Sequence, residues 1–365
     1  MTLVLFDARK ARDFGIGRYV VGLITALARA GEFELTAIVR PADAGLLPGS
    51  VTPLESTAVP YSAAELFAVR RVIARTRPGL FHAPHYVVPL FPPAGTLVTI
   101  HDLMHLSRPE HDSLPKRTYA TAMLRRAVRL AARVVAVSEA TRRELIAFDP
   151  RAEGKTVVIP NGVDDRFRPD IPEAERDRVR SAHRVEGPYV LFLGNDKPHK
   201  NLEGLLDAFA EVAGTNKEIR LVLAGGSSGR ALARRARIAG SEMSTRVLNL
   251  GIVPDTDVPA LVAEARLLIQ PSFTEGFGLP VLEAQAVGTP VACSDRGGLP
   301  EAAGDAAMFF DPESVPEIAE AIRRLLGDEE LRAFLRSKGL ARTPGFTWGR
   351  VAEKTSAVYR ELLGR

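Results

Sequence analysis

A chain of 365 residues exceeds what one hydrophobic core usually organises, so two domains of ordinary size are expected. Apolar residues at 46% and charged ones at 25% describe a globular protein and exclude extended disorder. The 48 basic and 44 acidic residues leave a net charge of +4, too mild to argue for nucleic acid, and the single cysteine, Cys293, excludes an internal disulfide or a cysteine metal cluster.

The lone thiol suits a reducing compartment. Residues 1–6, MTLVLF, run into Asp7 and Arg9 with none of the parts of a signal peptide. No window approaches ~18 uninterrupted apolar residues, so a cytoplasmic protein is expected.

In chain order, short apolar runs alternate with amphipathic stretches, the pattern of parallel sheets built from βαβ units. The first half predicts strands at 3–6, 34–39, 79–83, 96–100, 133–138 and 155–160, with helices at 17–30, 63–76, 114–132 and 139–148. A charged, Pro-bounded stretch containing one short helix then reads as a linker. The second series predicts strands at 189–194, 219–226, 246–251, 266–272 and 289–294, with helices at 201–213, 229–239, 257–265 and 280–287. Helices at 314–326, 328–337 and 348–363 close the chain. The simplest reading is α/β: two Rossmann-like domains in tandem, joined near residue 170.

The stretch TEGFGLPVLEAQAVGTP, 274–290, holds two glutamates around a Gly-Phe-Gly-Leu-Pro run. Pro280 suits a first helical turn and Gly288 the stop. Unpaired N–H groups and the macrodipole at that helix start favour an anion. Gly276 and Gly278 have no side chain to hold a ligand off, so the amides of 276–279 could approach a diphosphate or a sugar hydroxyl. Glu275 is expected in the loop and Glu283 in the first helical turn, at the carboxyl end of the sheet where open α/β sheets bind ligands. A nucleotide sugar, with hydroxyls at both ends and a diphosphate between, suits this layout. An exposed loop acid beside a dipole-favoured helix acid would explain two isolated glutamates equally well.

TEGFGLPVLEAQAVGTPVACSDRGGLPEAAGDAA closely resembles the E-x7-E segment of retaining GT-B glycosyltransferases of family 4. The resemblance extends over FGIGRYV, TIHDLMHLSRPE, VVAVSEATRREL, VIPNGVD, FLGNDKPHKNLEGLLDAF, LVLAGG and the FTW before the last helix. It implies two Rossmann-like domains facing across a cleft: residues 1–170 for the acceptor, 171–347 for the nucleotide sugar, and helix 348–363 crossing back to the first domain. It also implies that Glu275 holds the hydroxyls of the transferred sugar, Glu283 the ribose, and the backbone of Gly276, Phe277, Gly278 and Leu279 the phosphates and sugar. Val253 joins these donor contacts.

In GNDKPHKN, Lys197, His199 and Lys200 reach the same sheet edge and Asn201 can cap the next helix. A lysine there would stabilise charge on a leaving diphosphate, and Lys200 matches the phosphate lysine of the family. Many members have an arginine after the strand's glycine, where this chain has Asn195, so Lys197 or His199 would supply the second cation. Gly15 and Gly17 of DFGIGRYV form a turn whose amides could approach the donor phosphate or the acceptor; Val20 stands where a dinucleotide fingerprint needs glycine. His101 matches the HDL of the family, as a contact to the transferred sugar or a neighbour of the acceptor.

The pairs His82/His85 and His101/His105 lack the acidic partner of a zinc helix, so no metal site and no cofactor is expected. Asp257, in PDTDVP, reads as a helix cap. The basic amphipathic helix 114–133, with Lys116, Arg117, Arg125, Arg126, Arg129 and Arg133, packs mainly against its own sheet; it could also lie on anionic lipid, which would suit a lipid-linked acceptor.

The expected activity is therefore metal-independent, retaining transfer of a hexose from a nucleotide diphosphate sugar to a glycan or lipid-linked acceptor in polysaccharide or glycoconjugate synthesis. The phosphate loop looks most like mannosyl- or rhamnosyl-type transferases, so GDP-mannose leads, with a UDP-hexose next. A GT-B-like sugar nucleotide epimerase and a non-catalytic nucleotide-sugar-binding module are the competing readings.

Overall fold

The computed structural model describes residues 2–58, 62–107, 113–226 and 245–364. The chain divides into two compact units, Met1–Gly162 with Phe346–Arg365, and Val163–Gly345.

The first unit contains β1 (Leu3–Asp7), α1 (Phe14–Ala30), β2 (Glu34–Val39), β3 (Thr52–Glu55), α2 (Ala63–Thr76), β4 (Leu80–Ala83), β5 (Thr96–Ile100), the single turn α3 (Met104–Ser107), α4 (Leu114–Leu130), β6 (Arg133–Ala136), α5 (Glu139–Phe148) and β7 (Thr156–Val158). Its strands are all parallel, in the order β3-β2-β1-β4-β5-β6-β7. Because helices cover both faces, the central strands β4 and β5 are buried throughout and read as continuous apolar runs, while the edge strands β3 and β7 are more open. The alternation survives in the packing. Val4, Phe6, Leu80, Leu97 and Val135 join one core with α1, whereas Leu5, Phe81, Val98 and Val134 join the other with α4 and α5.

The second unit contains α6 (Glu173–Ala182), β8 (Tyr189–Leu193), α7 (Leu202–Thr215), β9 (Arg220–Ala224), β10 (Val247–Gly251), α8 (Val258–Ala263), β11 (Leu267–Gln270), α9 (Leu279–Val287), β12 (Val291–Ser294), α10 (Leu299–Ala303), β13 (Met308–Phe310), α11 (Val315–Gly327) and α12 (Glu329–Arg342). Its strands run parallel in the order β10-β9-β8-β11-β12-β13, the Rossmann order. On one face, α7 and α11 bury Leu205, Phe209, Ile318, Ile322 and Leu325 against Phe192, Leu221 and Ile269. The last helix, α13 (Trp348–Leu362), belongs to the first unit, where Val351, Ala352, Val358 and Tyr359 complete the core under α1.

Side-chain caps set several helix starts: Ser62 accepts from the Glu65 amide, Ser138 from Thr141, Asn201 from Gly204 and Thr347 from Arg350. Each such cap stabilises its helix by about 1 kcal/mol.

Several expectations are corrected. The seam lies at 162/163 rather than near 170, because the stretch after Gly162 is tied to the second unit; Arg166 donates to the Asp255 carbonyl. Helix α1 starts at Phe14, so Gly15 and Gly17 lie inside its first turn. Asp257 does not cap α8; its carboxylate instead accepts from Arg178 at 2.8 Å and meets His183 at 2.9 Å, tying α6 to α8. The helix expected at 229–239 falls outside the described residues.

Candidate active site

In an open parallel sheet, the crevice for a ligand opens where the strand order reverses. In the second unit that point lies between β8 and β11. The loop after β8 carries Asn195, Lys197 and Lys200, and the loop after β11 carries Ser272 and Glu275. The fold thereby joins residues 75 apart: Lys200 Nζ lies 2.5 Å from Glu275 Oε1. The Ser272 hydroxyl donates to the same oxygen at 2.6 Å and the Gln270 amide at 3.1 Å. A backbone bond from Phe273 N to His199 O, 2.8 Å, stitches the two loops together.

Glu275 and Lys200 are each only 13% exposed. Burial pushes the Glu275 carboxyl up, but the Lys200 ammonium and the Ser272 hydroxyl outweigh it and hold the group below the usual carboxylate range. Glu275 is therefore a firmly ionised acceptor and a poor base.

Helix α9 begins at Leu279 behind Gly278, whose φ of +111° is left-handed, and no side chain caps it. The loop ahead of it is shaped from behind by a glycine pair. A Cβ at Gly298 would meet the Gly276 carbonyl oxygen at 2.3 Å, and one at Gly297 the Glu275 oxygen at 2.6 Å. Gly298 N–H donates to the Glu275 carbonyl at 2.8 Å. Gln270, Ser272, Gly297 and Gly298 carry no assigned role in the sequence reading; the Gly-Gly pair following a strand was the available signal.

Glu283 lies in the second turn of α9, not the first, because the helix starts at Leu279. It is 2% exposed. A carboxylate so deep and a turn away from the helix start gains little from the macrodipole, so the dipole alone does not account for it. Phe277, Leu279 and Val253 are buried, the last just beyond β10 on the same sheet edge. Asn195 turns its side-chain oxygen to the Lys197 amide at 3.3 Å, and Lys197 is exposed.

In the first unit, Gly15 has no heavy atom within 4 Å of where a Cβ would stand, so it is open to a ligand. Gly17 is different: its Cβ would meet the Ala11 carbonyl oxygen at 2.5 Å, and its amide already donates to Asp13 O at 2.6 Å. Gly17 thus serves packing, and the amide expected to approach a ligand is occupied. His101 follows β5, with Nε2 3.0 Å from the Pro84 carbonyl. A carbonyl only accepts, so Nε2 carries the proton and Nδ1 is an acceptor. Burial lowers its pKa to about 4, outweighing the opposing hydrogen bond to Pro84 and aided by the nearby Lys10, which leaves it neutral.

Asp7, Glu65 and His85 approach one another closely enough to suggest a metal. Arg9 takes that position: its guanidinium grips Asp7 at 2.8 and 2.6 Å and reaches Glu65 at 2.7 Å. Of the basic residues along 114–133, Arg126 donates to the Pro89 carbonyl, Arg125 lies over the Phe148 ring, and Arg133 begins β6 and pairs with Glu361. Among the described residues no helix is long and apolar enough to cross a membrane.

Comparisons with known proteins bear on the family and the fold. Residues 15–167 match the model described as Glycosyltransferase Family 4, and residues 173–342 the model for Glycosyl transferases group 1. O-antigen chain mannosyltransferase B of Escherichia coli is 29% identical over 284 residues, 78% of this chain and 74% of that protein. D-inositol 3-phosphate glycosyltransferase of Kineococcus radiotolerans is 33% identical over 257 residues, covering 65% of this chain and 58% of that one. The structure of Anabaena Alr3699/HepE in complex with UDP-glucose matches with a TM-score of 0.79 and 21% identity over 99% of this chain and all of that one, a likeness of fold. The chain belongs to the glycosyltransferases of GT-B fold and family 4 type.

Proposed function

We propose that the protein transfers a hexose, with GDP-mannose as the leading donor, to a glycan or lipid-linked acceptor with retention at the anomeric carbon. The observation that carries this is the convergence of Lys200, Ser272 and Gln270 on Glu275 at the switch point of the second unit, beside the uncapped start of α9.

In this reading the C1–O bond to the diphosphate breaks with its electron pair going to the departing phosphate, whose charge Lys200 offsets. The acceptor oxygen bonds to C1 on the same face, and its proton passes to the leaving phosphate oxygen. Glu275, ionised and held by three donors, positions sugar hydroxyls and leaves the proton to the phosphate. Glu283 meets the ribose, and the backbone of 276–279 the diphosphate. His101, neutral, offers Nδ1 to a hydroxyl. The reading needs no metal.

A mannosyltransferase among the relatives supports mannose, and the UDP-glucose complex of a fold neighbour keeps UDP-hexose as the alternative. A lipid-linked acceptor would be met at a membrane surface, to which the 114–133 stretch would present Leu114, exposed at its start.

A thermal-shift panel of GDP, UDP, ADP and dTDP tests the donor, since a ligand bound only by the folded state raises its melting temperature. The largest shift is expected with GDP. A larger shift with UDP would move the assignment to UDP-hexose, and no shift with any of the four would contradict a nucleotide-sugar site.

A further inference from the structure

The C-terminal helix reaches the ligand edge of the first sheet through buried hydrogen bonds that the transfer chemistry does not use. The Tyr359 hydroxyl, on α13, lies 2.7 Å from His82 Nδ1. The other ring nitrogen of His82, on β4, is 2.8 Å from Thr99 Oγ1 on β5, and Thr99 Oγ1 is 2.9 Å from the Tyr19 hydroxyl on α1. All four side chains are fully buried. Burial lowers the His82 pKa to about 3, so the imidazole is neutral and links its two neighbours with one donor and one acceptor nitrogen.

Beyond the chain of bonds, the Tyr19 ring meets His101 edge-on with centroids 4.8 Å apart, and Trp348, the first residue of α13, at 6.0 Å. Trp348 also rests on α1 where Gly22 leaves no room for a Cβ, its ring 2.2 Å from the position one would take. Helix α13 therefore grips α1 at both its ends, through Trp348 directly and through Tyr359 by way of His82 and Thr99.

Apolar side chains of the same shape would fill this core at less desolvation cost. What the polar chain adds is direction, because each bond fixes a ring orientation that dispersion contacts leave soft.

We propose that His82 is a positioning residue: held by Tyr359 on one side and Thr99 on the other, it sets the Tyr19 phenol, and through it the His101 imidazole and the first turn of α1. The proposal rests on His101 belonging to the reacting site.

Tyr359→Phe and Thr99→Val each delete one hydroxyl and keep the shape, and Thr99→Val serves if the other variant fails to fold. Three readouts apply: kcat and KM with donor and acceptor, the ¹⁵N shifts of the His101 ring, and the fluorescence of Trp348, the only tryptophan in the chain. Each variant should lower kcat about fivefold, the effect of one lost hydrogen bond. The donor KM and the nucleotide-induced melting shift should stay unchanged, His101 and Trp348 signals should move, and the double variant should cost little more than either single one. A lower melting temperature with wild-type kcat and unmoved His101 shifts would overturn the proposal. If the wild type transfers no sugar at all, the functional reading fails, and the His101 shifts alone decide this one.

Discussion

Replacing Lys200 by alanine removes the cation 2.5 Å from a carboxylate that is 13% exposed. At an effective dielectric of ~20 the direct attraction is about 7 kcal/mol, most of it offset by desolvation. Removing one partner of a buried pair costs about 3–5 kcal/mol, and since Ser272 and Gln270 still donate to Glu275, the lower end applies. A loss of about 3 kcal/mol lowers the melting temperature of a domain this size by about 6–12 °C. Because the folded-state pKa of Glu275 is depressed, its contribution is present above the ordinary value of 4.5 and is lost as pH falls through the lower folded value. The gap between wild type and Lys200→Ala should therefore be full at neutral pH and close below pH 4.5. Turnover should fall about 10²–10³-fold, as when a donor to developing charge is deleted. Urea denaturation from pH 3 to 7, with turnover measured in parallel, checks both arms. A stability gap that is constant with pH, or near-normal turnover, would refute the reasoning.

Gly298→Ala, which must displace the Gly276 carbonyl, should cut turnover by an order of magnitude or more and weaken nucleotide binding in the thermal-shift assay. Gly15→Ala should keep the wild-type melting temperature and lose activity, whereas Gly17→Ala should destabilise the first unit by about 1–3 kcal/mol through its clash with Ala11 O, as denaturation will show. His101 titrates near 4, so the pH profile of kcat/KM should show no inflection near 6.5 that disappears in His101→Asn.

The architecture was largely legible because buried parallel strands are short apolar runs and helices of this fold are amphipathic. What escaped notice was short or at an edge. β3, TPLE, is a mostly exposed edge strand carrying Pro53, and β13 and α10 span only three and five residues. The glycines at 15 and 17 read as a turn, yet Phe14 already opens α1 with a φ of +22°. Asp257 has the spacing of a cap, but Arg178 on α6 and His183 at its end, invisible to local pattern, claim its carboxylate.

The site divides in the same way. The E-x7-E spacing and the phosphate-loop lysine could be read, since each is local. Their direct contact could not: strand order places Lys200 against Glu275 across 75 residues, and Gln270 and Ser272 are ordinary strand-end residues until the fold turns them onto that carboxylate. The His82 chain was likewise hidden, because its partner Tyr359 lies 277 residues away.

The most direct test of the central claim is ¹H NMR of a transfer reaction with α-linked GDP-mannose, followed from the first turnover by the one-bond C1–H1 coupling of the product. The account predicts an α-linked mannoside and release of GDP, with both signals abolished in Glu275→Ala. A β-linked product, or undiminished transfer by that variant, would contradict it.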